Sequence, residues 1–143
     1  MESLDTQRII RALRDDWGEL ITRYQQLTPE QQEHYLSTQG YQRIPDLLAH
    51  VTAWWERGMR LIERYQVEPG FVAPEVAVDD FNAAAVASIQ QQGEQVVISL
   101  FHASLQRFMN VVEQLDDEAR HDQRIIRQIE MEVIGHFREH QIK

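Results

Sequence analysis

His136 and His140 stand four residues apart in the last stretch of the sequence. On a helix that spacing sets both imidazoles on one face, one turn apart, where they can reach a single metal ion. A third histidine, His50, lies far upstream in Leu47-Leu48-Ala49-His50-Val51-Thr52-Ala53-Trp54 and falls on the apolar stripe of another expected helix. Burying three imidazoles together is costly unless something satisfies their nitrogens, and a divalent ion would do so. Three neutral imidazoles leave an open coordination position, the usual condition of a catalytic zinc site, and nickel or iron suit the same donors. A water, a substrate oxygen or a thiolate would fill that position.

The other reactive side chains carry plainer readings. The run His136-Phe137-Arg138-Glu139-His140 is not a zinc-protease motif, which orders glutamate and histidine differently. Glu139 points about 100° from His140 and reads as a solvated residue pairing with Lys143. His34 and His121 read as surface residues, and His102, beside Phe101, is kept in reserve behind the three. Asp79-Asp80 and Asp116-Asp117 fall where helix caps belong. Trp54, Trp55, Phe81 and Tyr41 read as packing residues. No glycine-rich phosphate loop, serine elbow or basic patch occurs, and no residue identifies itself as a general base.

Helical periodicity supplies the elements that must position the histidines. A first helix is expected over 4–27, with Leu4, Ile9, Leu13, Trp17, Leu20, Ile21, Tyr24 and Leu27 inward and Ser3 as cap. Residues 31–43 read as a polar connection. A second helix is expected from Pro45 to Tyr65, with His50, Val51, Trp54 and Gly58 on its inner stripe and Trp55 at the edge. Gly58 costs about 1 kcal/mol in a helix and so points to a close helix crossing. Residues 66–78, with two prolines and a glycine, read as a long crossover lying against the helices. A third helical region, capped by Asp79 or Asp80, is interrupted at Gln90-Gln91-Gln92-Gly93 and runs on to Leu115. The final helix carries Ile125, Ile129, Val133, His136 and His140 on one stripe. With no strand signal and no repeat, the expected fold is all-α, a four-helix bundle in one domain over 1–143.

The 143 residues carry a formal charge of −9, 43% hydrophobic residues and no cysteine. The acidic balance speaks against a nucleic-acid surface. Without cysteine there is no disulfide, thiolate ligand or thiol nucleophile. No apolar run reaches the roughly 20 residues of a membrane span, and the start lacks a signal-peptide form, so a soluble cytoplasmic protein is expected.

Three segments together resemble the DinB superfamily, in particular its ClbS/DfsB-like bundles: Pro45-Asp46-Leu47-Leu48-Ala49-His50-Val51-Thr52-Ala53-Trp54, Asp79-Asp80-Phe81-Asn82 and His136-Phe137-Arg138-Glu139-His140. They occur in the family's order and span nearly the whole chain. The resemblance implies an up-down-down-up bundle in which His50, His136 and His140 bind a divalent metal, commonly nickel or zinc, and it implies homodimers. Relatives of this type include transferases using low-molecular-weight thiols, an isomerase of a thiol conjugate, and a self-resistance protein that opens a genotoxin's cyclopropane. One departure is Ile44, where relatives often carry a serine or threonine cap. The expected function is a metal-dependent enzyme acting on a small electrophilic metabolite by thiol transfer or hydrolysis. The alternatives are a non-catalytic bundle that binds or sequesters a small molecule, with or without metal, and a structural bundle.

Overall fold

Asp5 opens the first helical run, its carboxylate accepting the Arg8 backbone N–H at 3.1 Å. The computed structural model describes residues 2–143, and among these all regular structure is helical. Helix α1 (Thr6–Arg11) passes directly into a π-helical stretch, Ala12–Trp17, and then into α2 (Leu20–Gln26). Leu4, Ile9, Leu13, Trp17, Leu20 and Ile21 are buried, as the periodicity requires. Ser3 is not the cap. It lies exposed outside the helix, and Asp5 stands at the position from which a side chain reaches the third N–H.

Residues 31–43 correct the sequence reading, because most of them are helical. Helix α3 (Pro29–Gln39) starts from a reciprocal cap in which Thr28 Oγ1 accepts from Gln31 N–H while the Gln31 side chain accepts from Thr28 N–H. Pro29 occupies the first turn, and Gly40, at φ +82°, closes the helix in the left-handed region. Only Tyr35 and Leu36 are buried from this polar run.

Helix α4 (Ile44–Val67) is the longest element and carries His50 inward, with Leu47, Val51, Leu61 and Ile62. The two tryptophans exchange the roles expected of them. Trp55 is fully buried, because it follows Val51 by one turn and stays on the same face, whereas Trp54 is rotated about 100° and half-buried. Gly58 does mark a close crossing. A Cβ there would lie 2.5 Å from Glu132 Oε2.

The connection 68–77 lies against the helices as expected. Phe71 packs on the Tyr65 ring, and the Arg124 guanidinium donates to the carbonyls of Tyr65, Pro69 and Phe71. Helix α5 (Val78–Ala87) has Ala77 at its cap position and no side-chain cap. Asp79 and Asp80 instead sit exposed in its first turn, near the positive end of the helix dipole. The chain breaks at Gln90–Gly93 and resumes as α6 (Glu94–Gln114). Asp116 caps α7 (Asp117–Arg120) and Asp122 caps α8 (Gln123–Ile129). A second π-helical stretch, Glu130–Gly135, leads into α9 (His136–His140).

Helix α4 packs along α6, α5 and α8, while α1 packs on α6 and the two π-helical stretches meet. Trp17, Trp55, Phe101 and Phe108 form the aromatic centre of one core, with the Trp17 and Trp55 rings 4.9 Å apart. Both indoles donate to backbone carbonyls of the second π-helical stretch, Trp17 Nε1 to Val133 at 2.9 Å and Trp55 Nε1 to Glu132 at 3.2 Å. This anchors the segment immediately before His136. Among the described residues, no helix is long and apolar enough to cross a membrane.

Candidate metal centre

The three histidines converge from α4 and α9. His50 Nε2 lies 3.1 Å from His136 Nε2 and 3.2 Å from His140 Nε2. One donor atom from each residue lies within 4.8 Å of the others, and the group is positioned to hold a metal ion. His50 and His140 are buried and His136 is half-buried.

Two neighbours orient the rings from behind. Asn82, on α5, accepts at Oδ1 from Trp54 Nε1 at 2.7 Å, and the same oxygen lies 2.9 Å from His50 Nδ1. An indole nitrogen only donates, so this end of the amide is the oxygen, and His50 carries its proton on Nδ1. Its Nε2 lone pair is thereby left facing the other two histidines. Gln39, at the end of α3, sets its Oε1 2.7 Å from His140 Nδ1 and gives the same tautomer. The Tyr35 hydroxyl donates to the His140 backbone carbonyl and holds the last helical turn in place. His136 has no such support, and its Nδ1 is buried without a partner.

Burial, reinforced by His140 and His50, pushes the His136 imidazole down to about 3. Burial with the His50 charge takes His140 down to about 4, and His50 is lowered by burial as well. All three rings are therefore neutral near pH 7, the form that binds metal. With their protons on Nδ1, His50 and His140 turn Nε2 lone pairs toward each other at 3.2 Å, a repulsion that a shared cation relieves. Zinc–nitrogen bonds of about 2.0–2.1 Å at tetrahedral angles place ligand nitrogens about 3.3 Å apart, close to what is seen. The donor set fits a divalent ion.

A cavity of about 400 Å³ opens beside the histidines. Trp54, Val78 and Met131 line it with His50, His136, Asn82 and Glu132. That volume lies in the range of small-molecule sites. Glu132 is 3% exposed, and burial pushes its carboxyl up to about 8.

Of the remaining sequence candidates, His34, His102 and His121 are exposed, so His102 does not back the site. Glu139 is exposed at the cavity rim, and among the described residues it forms no ion pair with Lys143. Tyr41 is a packing residue beside the site, its ring 5.6 Å from that of His50. Gln39 and Glu132, together with Tyr35 and Met131, are site residues that the sequence reading did not single out. No family model, curated protein or solved structure matches this chain.

Proposed function

We propose that this chain is a metal-dependent enzyme of the DinB-like type, which transfers a thiol to a small electrophilic metabolite or hydrolyses it. On this reading the runs 6–26, 44–67, 94–114 and 123–140 are the four rods of an up-down-down-up bundle, a view supported by the packing of α4 on α6 and α8. His50, His136 and His140 hold the ion, nickel or zinc. The observation that carries the proposal is the meeting of three neutral imidazoles at 3.1–3.2 Å beside an open cavity. The bound ion supplies Lewis-acid activation of whatever oxygen or sulfur takes its open position. The chain's own residues do the rest. Asn82 and Gln39 fix the ring orientations, and Trp54, Val78 and Met131 give an entering molecule an apolar wall. A low-molecular-weight thiol is the co-substrate that the DinB resemblance implies, and the chain, with no cysteine, offers no thiol of its own.

A second reading, non-catalytic binding of an apolar small molecule, is favoured by the same wall. Val78 and Met131 are about half exposed, 52% each, at the rim of the cavity.

Metal content of the purified protein, measured by mass spectrometry beside the His50→Ala, His136→Ala and His140→Ala variants, tests the proposal. Near-stoichiometric metal that each variant loses is expected. Chelation should lower the melting temperature, since a ligand held at 100 times its Kd stabilises by about 2.7 kcal/mol. Failure to take up zinc or nickel after reconstitution would overturn the metal reading. With metal bound, turnover of a thiol against a panel of electrophiles separates enzyme from binder.

A further inference from the structure

Glu132 combines two local costs at one point of the cavity wall. It is a carboxyl at 3% exposure whose Oε2 has no hydrogen-bond partner. Opposite it, α4 carries a glycine in mid-helix, and any Cβ there would sit 2.5 Å from that same oxygen. A buried carboxyl kept for structure would be paired. The nearby cation, Arg57, instead donates to the Pro74 carbonyl and lies over the Trp54 ring. Gln128, one turn before Glu132, is also buried; its Nε2 lies close enough to the carboxyl to oppose the upward push of burial, but neither Nε2 nor Glu132 Oε2 completes a hydrogen bond.

Apart from His136 Nδ1, the other buried polar groups around the cavity are already engaged. The Trp54 N–H and Asn82 Oδ1 satisfy each other, and His50 and His136 direct Nε2 toward one another. Glu132 is the carboxyl among them with unspent hydrogen-bonding capacity, and burial pushes it up to about 8, into the acid form at neutral pH. An acid O–H needs an acceptor, and the remaining wall is Trp54, Val78, Met131 and Gly135, with Glu139 exposed at the rim.

We infer that Glu132 is the hydrogen-bond donor to the cavity's ligand, an uncharged, mostly apolar molecule carrying an acceptor oxygen or nitrogen. This rests on the reading above only in taking the cavity to be a ligand site. In the metal-free protein an anionic ligand is disfavoured, because Glu139 stands at the rim and the lining residues include no lysine or arginine.

Acetophenone and isopropylbenzene, which share shape but differ in the acceptor oxygen, are the probes. Their affinities are measured by calorimetry on the full chain, both chelator-treated and zinc-loaded. In the metal-free protein, acetophenone is expected to bind about five- to ten-fold more tightly, the worth of one hydrogen bond. Glu132→Gln, whose amide N–H still donates, should keep that preference, and Glu132→Leu should abolish it while remaining folded by thermal melt. Preference retained in Glu132→Leu, no preference in the parent protein, or binding of neither probe would each overturn the inference. Zinc uptake with a preference indifferent to Glu132→Leu defeats this inference alone. A preference that tracks Glu132 in a protein refusing zinc and nickel defeats the metal reading alone.

Discussion

Asn82 accepts two N–H groups on one oxygen, from Trp54 and from His50. It decides which nitrogen of His50 faces the centre. Replacing such a partner costs typically 10- to 100-fold in metal affinity. Asn82→Leu is therefore expected to weaken zinc binding by about that factor without unfolding the chain, whereas Asn82→Asp, which keeps the acceptor, should lose much less. Competition titration with a chromogenic chelator measures both. At this scale the sequence was legible where spacing carried the message. His136 and His140 share a face by arithmetic, and His50 sits on an apolar stripe. Gln39 was illegible, because its reach to His140 crosses 101 positions. Glu132 was illegible for another reason, since nothing in one sequence marks a glutamate as buried.

At the scale of elements, Gly58 and Glu132 form a matched pair across the contact of α4 with the second π-helical stretch. An alanine at 58 gains about 1 kcal/mol of helix propensity. Its Cβ, however, would fall 2.5 Å from Oε2 and 3.2 Å from Cγ and Cδ of a side chain enclosed by the core, and such overpacking costs about 1–3 kcal/mol. Gly58→Ala should therefore destabilise by about 1 kcal/mol net, while Gly58→Ala combined with Glu132→Ala should be more stable than the two single effects predict. Urea denaturation of the four proteins measures that coupling. At the same scale, α3 is a helix that periodicity does not reveal. Its polar run lacks an apolar stripe, so periodicity was silent, yet the signals at its ends were present in Thr28, Pro29, Gln31 and Gly40. The π-helical stretches have no such signature. They are fixed by tertiary contacts, among them the indoles of Trp17 and Trp55, and stretches of this kind are frequent at functional sites.

For the whole molecule, proton linkage joins these groups. Folded His136 and His140 protonate only near about 3 and 4, and His50 is lowered too, against 6.5 for a histidine in the unfolded chain. As pH falls below about 6.5 the unfolded state gains protons that the native state refuses, so stability drops toward acid. Glu132 acts with the opposite sign. Its folded value is raised to about 8 from 4.5, so the native state keeps a proton that the unfolded chain has released, and stability falls as pH climbs through that window. Three imidazoles outweigh one carboxyl on the acid side. The metal-free protein should thus be most stable between about pH 6.5 and 7 and decline on both sides, and Glu132→Gln should remove only the alkaline decline. Urea midpoints across that range check the shape. The site's donors and their supports come from residues 39, 50, 82, 136 and 140. Contacts this distant along the chain close large loops, an entropic cost that must be met before the contacts stabilise anything. An ion that engages only once those loops have closed lowers the native state more than the folding barrier. It therefore acts as a brake on unfolding, lengthening the native lifetime while leaving the rate of folding almost untouched.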